Sequence, residues 1–269
     1  MKNGIKIKDI GIPELSIYRD LSEMQLRRFN EPDPGIFICE STKVICRALD
    51  ARYEPLSLLT CIDEPDEEVS FIMEKMEERP VYMCEKEALS KLTGYNLTGG
   101  ILCAMKRQVL KTPEGVCAGK TRIAVLEDVE NPTNLGAIFR SAAALGIEAV
   151  LITGDCTDPL YRRAARVSMG TVFLIPWTRF GRGFDHMGFL SDQGFTTISM
   201  ALSDRAISIR DERIKQSDKR AIILGNEDSG LKDDTIARSD HVVMIPMAKG
   251  VDSLNVAAAS AVAFWEMLS

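Results

Sequence analysis

The sequence predicts an α/β protein of two domains. Short apolar runs alternate with stretches of helical periodicity along the chain of 269 residues, which is longer than one average domain. Periodicity is lost over residues 108–120, where Pro113, Gly115 and Gly119 interrupt it. We therefore expect a domain over residues 1–107, a linker over 108–120 and a second domain over 121–269.

In the first domain, charged residues at helical spacing predict a helix over 15–29, and GIFICE (35–40) reads as a strand. A helix over 41–51 follows, with Ser41 as its N-cap. The remaining elements are a strand over 56–62, an acidic loop to 68, a helix over 69–78, a strand over 80–84, a helix over 86–92 and a strand over 99–107.

In the second domain, short apolar runs separated by helices are typical of a mostly parallel sheet covered on both faces. The predicted strands cover 122–129, 148–153, 171–177, 195–201, 221–227 and 241–247. The predicted helices cover 134–145, 160–167 and 184–193, and a last helix begins at Ser253 as its cap.

Composition is that of an ordinary globular protein, with 45% hydrophobic and 27% charged residues and a net charge of −6. No apolar run is long enough to span a membrane, and the first residues lack a signal-peptide pattern, so we expect a cytoplasmic protein without a membrane partner. Neither half is basic. Any contact with nucleic acid must therefore use local patches.

The seven cysteines are scattered, without a CxxC pair, and only two histidines are present, His186 and His241. This pattern favours buried, reduced thiols over a disulfide framework. It supplies few candidate ligands for a metal site and few partners for a Cys/His catalytic pair, so we expect no metal.

The predicted helix in NPTNLGAIFRSA (131–142) carries one charge, Arg140, in a face of small residues: Gly136, Ala137, Ser141 and Ala144. Small residues allow close approach, which favours a packed face with Arg140 in a cleft or interface. An exposed or salt-bridged surface arginine is the alternative that this helix alone leaves open.

Two further stretches follow apolar strands, where open α/β sheets place ligands. LGNEDSGL (224–231) is a glycine-containing acidic turn, and its Glu227 suits a cationic or hydroxyl-bearing ligand. IPMAKGVDSLNV (245–256) leads into a helix that is small or apolar almost all round, with Ser253 and Asn255 at its start. Such a helix is expected to be buried, in this domain or against a second subunit.

These three motifs, in this order, resemble those of the SpoU/TrmH-type RNA ribose methyltransferases of the SPOUT superfamily. FICESTKVICRAL (37–49) and LTGYNLTGGILCAMKR (92–107) are similar to the small α/β, ribosomal-protein-like substrate-binding domain that precedes the catalytic domain in rRNA-modifying members. The resemblance implies a C-terminal domain with a trefoil knot, S-adenosylmethionine as cofactor, RNA as partner and a homodimer through the C-terminal domain.

The resemblance also implies site residues. Asn134, Arg140, Glu227, Ser253 and Asn255 fall on the family's catalytic positions. The cofactor-binding positions are Leu224, Gly225, Asn226, Gly230, Ile245, Met247 and Leu254. Three residues depart from the pattern, namely Asn131, Asp228 and Lys249, and Lys249 would bring a long cation near the cofactor loop.

The expected reaction is methyl transfer to a ribose 2′-hydroxyl, in which alignment supplies most of the acceleration. A guanidinium is a poor general base, so we expect Arg140 to grip a phosphate and stabilise the developing alkoxide. Candidate RNA contacts are Arg162, Arg163 and Arg166 on one helix, and Lys43 and Arg47 in the first domain, with solvated helix faces as the alternative.

Other interpretations remain open from the sequence. The substrate is expected to be rRNA, with tRNA as the alternative, and an antibiotic-resistance rRNA methyltransferase shares the two-domain layout. A non-catalytic RNA-binding or ribosome-assembly protein would share the fold without turnover. A dinucleotide-dependent enzyme is disfavoured because the sequence has no GxGxxG motif after an early strand.

Overall fold

The computed structural model describes residues 4–61, 66–93, 100–251 and 253–268. It divides the chain into two units, Met1–Val109 with Leu160–Phe173, and Leu110–Pro159 with Leu174–Ser269. The first unit therefore takes a segment from the middle of the second half of the sequence.

The described strands are, in chain order, β1 (Gly4–Lys6), β2 (Ile36–Glu40), β3 (Pro55–Cys61), β4 (Val81–Cys84), β5 (Ile101–Lys106), β6 (Arg122–Leu126), β7 (Ala149–Ile152), β8 (Trp177–Arg179), β9 (Thr196–Met200), β10 (Ile207–Ser208), β11 (Arg220–Leu224) and β12 (His241–Met244). The described α-helices are α1 (Ser16–Arg19), α2 (Glu23–Arg27), α3 (Thr42–Asp50), α4 (Glu67–Lys75), α5 (Lys86–Thr93), α6 (Pro113–Cys117), α7 (Pro132–Leu145), α8 (Arg162–Val167), α9 (His186–Asp192), α10 (Asp233–Arg238) and α11 (Val256–Leu268).

The first unit is built on a mixed sheet with the strand order β1-β4-β3-β5-β2. Strand β4 pairs in parallel with β1 and β3, whereas β5 runs antiparallel to β3 and β2. All five residues of β2 are buried, so both faces of this strand are covered.

The second unit is built on a sheet of seven strands in the order β10-β12-β9-β11-β6-β7-β8, and every pairing is parallel. Four consecutive residues are buried in each of β6, β7 and β11, which requires cover on both faces. Helix α7 packs against the last helix, α11. The predicted α/β class with a mostly parallel sheet is confirmed.

The segment Leu160–Phe173 is held within the first unit by a buried carboxylate and an aromatic cluster. Arg166 Nη1 lies 2.9 Å from Glu40 Oε1, and the Glu40 side chain is 1% exposed. The ring of Phe173 lies 5.9 Å from that of Phe37 and 5.2 Å from that of Tyr53. Residues far apart in sequence thus share one core.

Two predicted elements are wrong. The helix predicted over 15–29 is wrong: a 3₁₀ turn (Pro13–Leu15) leads into α1, and α2 is a separate helix whose capping box joins Ser22 and Gln25. The strand predicted over 171–177 is also wrong, because a 3₁₀ turn (Thr171–Phe173) follows Gly170, whose φ is +80°, and β8 begins only at Trp177.

The linker predicted over 108–120 contains α6, which Thr112 caps and whose Val116 and Cys117 enter the core of the second unit. Ser41 precedes α3 as predicted, but its side chain makes no cap hydrogen bond and its φ is +82°. Ser253 does not cap the last helix. The side chain of Asn255 does so, accepting from the Ala257 N–H, since α11 begins at Val256.

The predicted acidic loop ends earlier than expected, because Asp66 caps α4 and the helix begins at Glu67. Gly99, the predicted start of the last strand of the first half, lies outside the described residues, as do residues 94–99 of the LTGYNLTGG stretch. The sequence reading also missed the short strands β1 and β10 and the helix α10.

All seven cysteines are free thiols, and only Cys46 and Cys61 are more than slightly exposed. Burial raises the pKa of the Cys84 and Cys117 thiols to about 11, so both are protonated near neutral pH. Across the described ranges, no helix combines the length and apolar character that a membrane crossing requires.

We expect Phe173→Ala to destabilise the first unit, because the substitution leaves a gap beside Phe37 and Tyr53. The loss of stability should be about 2 kcal/mol, measured by hydrogen exchange of the β2 amides. Exchange is preferable to tryptophan fluorescence, since Trp177 and Trp265 both lie in the second unit. Leu174→Ala is the control: this neighbour is 54% exposed, so a similar loss there would contradict the assignment.

Candidate active site

A cavity of about 480 Å³ lies where β9, β11 and β12 end in the second unit. Parallel strands bring their carboxyl ends to one edge of a sheet, which is where ligands bind in open α/β folds. The structure places at this cavity all the residues that the sequence assigned to the cofactor: Leu224, Gly225, Asn226, Gly230, Ile245, Met247 and Leu254. Glu227 and Ser253, from the predicted catalytic set, also line it.

The turn after β11 forms one wall of the cavity and is closed on itself. Asn226 and Gly230 exchange two backbone hydrogen bonds, of 3.0 and 3.1 Å. The Asn226 side-chain oxygen accepts from the N–H groups of Asp228 and Ser229, and its amide donates to the Asp128 carbonyl oxygen at 2.7 Å. Asn226 therefore shapes the turn and ties it to the end of β6.

Gly225 is the residue at which the turn folds back most closely. A Cβ at this position would lie 2.4 Å from the carbonyl carbon of Gly230 and 2.5 Å from the nitrogen of Leu231. Both obstacles are backbone atoms, which cannot move aside as a flexible side chain can. The glycine is thus required by the fold of the turn itself.

A chain of three polar side chains connects the three sequence motifs. Asn255 Nδ2 donates to Asn134 Oδ1 at 3.1 Å, and Asn134 Nδ2 donates to Glu227 Oε1 at 3.0 Å. Asn134 lies in the first turn of α7, Glu227 in the turn after β11 and Asn255 at the start of α11. The structure therefore brings three of the five predicted catalytic residues into direct contact.

The Glu227 carboxylate also holds the loop that enters α7. Its Oε1 accepts from the N–H of Asn131 at 3.1 Å and its Oε2 from the N–H of Glu130 at 3.2 Å. Asn131 in turn caps α7, accepting from the N–H of Thr133. An asparagine thus supplies the oxygen that an aspartate would supply at this departing position.

Arg140 lies elsewhere on α7. It is exposed and does not line the cavity, and within the described part of the chain it makes no hydrogen bond or ion pair. Of the small residues on its face, Gly136 is buried, Ala137 and Ser141 are half-buried and Ala144 is exposed. Lys249 is exposed and also lies outside the cavity lining. The cation that the sequence places near the cofactor loop therefore does not line the cavity.

Two of the three arginines predicted to bind RNA on α8 have a role inside the first unit. Arg166 pairs with the buried Glu40, and Arg162 Nε lies 3.8 Å from the same carboxylate. Burying the Glu40 charge requires these partners. Arg162 and Arg166 remain predicted RNA contacts that also pair with Glu40 within the first unit, whereas Arg163 is exposed.

The two candidates on α3 also differ from each other. Arg47 Nη1 donates to the carbonyl oxygen of Met169 at 2.7 Å, which ties α3 to the segment after α8. Lys43 is exposed, and among the described residues it has neither a hydrogen bond nor an ion pair. Lys43 remains a predicted RNA contact, and Arg47 is in part a structural residue.

The sequence reading missed a buried acidic site directly after β6. The Glu127 side chain is fully buried, with its Oε1 accepting from the Lys232 N–H at 2.7 Å and its Oε2 lying 3.0 Å from His186 Nε2. Thr235 Oγ1 donates to the same Oε2. The only sequence signal was a pair of acids, Glu127 and Asp128, ending an apolar strand.

Burial of the Glu127 carboxyl favours its neutral form, but hydrogen bonds from His186, the Lys232 N–H and Thr235 outweigh burial and hold its pKa below the ordinary value. Burial and hydrogen bonding oppose each other in the same way at Asp128. There the contacts with Lys232 and Thr153 prevail, so its pKa is also lowered. Lys232 Nζ lies 2.7 Å from Asp128 Oδ2.

We expect Gly225→Ala to destabilise the second unit by about 1–3 kcal/mol, because the added methyl group forces the turn after β11 apart. Urea unfolding followed by tryptophan fluorescence measures this, since both tryptophans lie in this unit. The matched control is Gly181→Ala, where a Cβ would meet nothing within 4 Å. Equal losses in the two variants would contradict the steric argument.

Comparison with known proteins agrees with this geometry. A relative from Mycobacterium tuberculosis, named an uncharacterized tRNA/rRNA methyltransferase, is 34% identical over 98% of this chain and 92% of its own length. The 23S rRNA (guanosine-2′-O-)-methyltransferase RlmB of Acinetobacter baylyi is 28% identical over 78% of this chain and 88% of its own length.

Among solved structures, the AdoMet-bound rRNA methyltransferase from Sinorhizobium meliloti superimposes with a TM-score of 0.82 and 22% identity, covering 98% of this chain and 97% of that one. This likeness establishes the fold. The family described as the SpoU rRNA Methylase family matches residues 121–265, which contain the cavity and the whole polar chain of Asn134, Glu227 and Asn255. The chain belongs to the SpoU rRNA methylase family.

Proposed function

We propose that this protein transfers a methyl group from S-adenosylmethionine to a ribose 2′-hydroxyl of RNA, with ribosomal RNA as the substrate. The observation that carries the proposal is the hydrogen-bonded chain Asn255–Asn134–Glu227 beside the cavity at the ends of β9, β11 and β12. Family membership and the names of the relatives support the same reaction.

The cavity suits this cofactor in size and chemistry. Its volume of about 480 Å³ is in the range of small-molecule sites. Leu224, Ile245 and Leu254 offer an apolar slot for a base, and the folded-back turn at Gly225 brings backbone close to the ligand. Carboxylates at the rim, such as Glu227 and Asp233, complement a sulfonium charge or ribose hydroxyls.

When bound, S-adenosylmethionine supplies an electrophilic methyl group, so the protein has to align the acceptor oxygen, whose proton passes to a phosphate oxygen or to water. Glu227 already accepts from two backbone N–H groups and from Asn134. We therefore propose that Glu227 orients Asn134. Asn134 in turn contacts Asn255, which lies at the start of α11. Arg140 stabilises the developing alkoxide and an adjacent phosphate.

Arg140 requires a second copy of the chain in this proposal, because it is exposed and lies outside its own cavity. The helix α11, which packs on α7, exposes Ala258, Val262 and Trp265, and Trp265 is 66% exposed. An apolar face of this kind on the helix next to Arg140 favours a homodimer through the second unit. In that dimer Arg140 completes the partner's site.

The first unit is proposed to present the RNA, with Lys43 and Arg163 as exposed cations for phosphate contacts. Looped or single-stranded RNA suits the reaction best, because its riboses are accessible. The proposal includes the trefoil knot of the C-terminal domain and a cytoplasmic location, where ribosomal RNA would be met. A tRNA substrate is the alternative.

The decisive experiment incubates the protein with S-adenosylmethionine and total RNA from cells lacking the gene, then maps 2′-O-methylation. A new methylated ribose in rRNA supports the proposal. A modified tRNA identifies the alternative substrate. Binding of RNA without binding of S-adenosylmethionine, measured by calorimetry, would identify a non-catalytic RNA-binding protein and contradict the proposal.

We expect Arg140→Ala to reduce methyl transfer by at least about a hundredfold, since it removes the group that stabilises the developing charge. Calorimetric affinity for S-adenosylmethionine should stay close to that of the wild type, because Arg140 does not line the cavity. Arg163→Ala is the control, expected to weaken RNA binding without changing turnover at saturating RNA. Retained turnover in Arg140→Ala would contradict the assigned role.

We expect Trp265→Glu to shift the protein from dimer to monomer in analytical ultracentrifugation and to abolish methyl transfer, because it places a charge in the proposed interface. The matched control is Phe71→Glu, which places the same charge at another exposed apolar residue, in the first unit. A monomeric wild type, or an active monomeric variant, would contradict the homodimer.

A further inference from the structure

The turn after β11, which lines the cavity, is joined to the loop after β6 by residues that include two outside the three motifs, Glu127 and Asp128. Strands β6 and β11 pair in parallel with Leu126 opposite Leu224, so the loops that follow them leave the sheet side by side. Glu227 binds the loop after β6 through the N–H groups of Glu130 and Asn131. In a second set of contacts, Glu127 and Asp128 of the loop after β6 bind residues of the loop after β11.

Glu127 and Asp128 hold the two ends of the turn. At the first end, the carbonyl oxygen of Asp128 accepts from the side chain of Asn226 at 2.7 Å. At the second end, the Glu127 carboxylate accepts from the Lys232 N–H at 2.7 Å, and the Asp128 carboxylate lies 2.7 Å from Lys232 Nζ. The distance between Asn226 and Lys232 is therefore set by the two residues that directly follow β6.

Glu127 also fixes the helix that follows the turn. Helix α10 has no side-chain cap of its own at Lys232. Glu127 accepts from the N–H of Lys232, which precedes the helix, and from the hydroxyl of Thr235, which is 1% exposed, so the carboxylate holds the first turn of α10 from outside the helix. Leu231, Asp233 and Ile236 of this segment line the cavity, which places the positions of three wall residues under the control of one buried carboxylate.

We infer that Glu127 is a positioning residue for the cofactor: its buried carboxylate sets the spacing of the turn over residues 225–231 and thereby the affinity for S-adenosylmethionine, without touching the cofactor or the RNA. The inference rests on the proposed function for the identity of the ligand. Glu127 does not line the cavity, so its effect passes through Lys232 and Thr235.

The first test is Glu127→Gln. The substituted amide keeps the size of the side chain but turns donor hydrogens toward Thr235 and His186, which both face Glu127 Oε2. Losing hydrogen bonds to a charged acceptor should raise the Kd and KM for S-adenosylmethionine by about tenfold or more. At saturating cofactor, kcat and the affinity for RNA should be unchanged.

The matched control is Glu148→Gln. Glu148 also holds β6 by accepting backbone N–H groups, those of Thr121 and Arg122 at 2.8 and 2.9 Å, but at the opposite end of the strand from the cavity. The charge change is the same. We expect no change in cofactor affinity, and an equal rise in both variants would show that the effect comes from general destabilisation, which overturns the inference.

A second variant keeps the test valid if Glu127→Gln does not fold. Thr235→Val preserves the shape of the side chain and removes one donor, so it should raise the cofactor Kd by about threefold to tenfold. Thr235→Ser restores the hydroxyl and should restore the affinity. A folded Glu127→Gln or Thr235→Val with wild-type cofactor affinity would overturn the inference.

Amide hydrogen exchange separates this inference from the proposed function. In the protein without cofactor, residues 226–232 should exchange faster in Glu127→Gln than in the wild type and in Glu148→Gln. If the wild type fails to bind S-adenosylmethionine, the proposed function fails and the assignment of the ligand fails with it. Unchanged exchange in Glu127→Gln overturns the positioning role even when the wild type binds the cofactor.

Discussion

The parallel pairing of β11 with β6 is the constraint on which the site depends. It places Leu224 beside Leu126, so the segments that follow, 225–232 and 127–131, begin at neighbouring points of the sheet edge. Their polar side chains reach each other at hydrogen-bond distance without a long excursion of either loop. A change of register by one residue would turn the side chains of β11 to the opposite face and break every one of these contacts.

Carboxylates join the loops, and two of them, those of Glu227 and Glu127, bind backbone N–H groups. Glu227 holds the entry to α7, and Glu127 holds the entry to α10. A carboxylate has several acceptor positions and can bind several donors at once, which no neutral side chain of similar size does as well. The carboxylates at this edge of the sheet therefore stabilise the loops, in addition to any contact that they make with a cationic ligand.

The sequence predicted the parallel sheet of the second unit well because fully buried strands carry unbroken apolar runs, as in RAIIL of β11 and AVLI of β7. The sequence also identified the three motifs. In one of them, Gly225 and Asn226 are required by a local turn, which a short pattern can encode. The sequence did not predict that Arg162 and Arg166 pair with Glu40, more than a hundred positions away. No local pattern encodes such a contact. The role of Glu127 was missed for the same reason, because its partners lie on α9 and α10.

Elements with mixed signals were the least predictable. The charged stretch at 15–29 has helical spacing, yet Ser22 and Gln25 begin a new helix within it. Residues 171–177 are apolar enough for a strand, but Thr171–Phe173 form a 3₁₀ turn whose Phe173 belongs to the aromatic cluster with Phe37 and Tyr53. Tertiary packing overrides local preference at Thr171–Phe173, whereas the capping box of Ser22 and Gln25 is a local signal that divides the 15–29 stretch.

The docking of Leu160–Phe173 in the first unit means that the polypeptide passes from one unit to the other three times, after Val109, after Pro159 and after Phe173. Two modules joined by a single tether can be exchanged between proteins by one recombination event. Here such an event would separate the buried Glu40 from Arg166. A replacement of the first unit would therefore have to include the fourteen residues of Leu160–Phe173 as well as the first 109 residues of the chain.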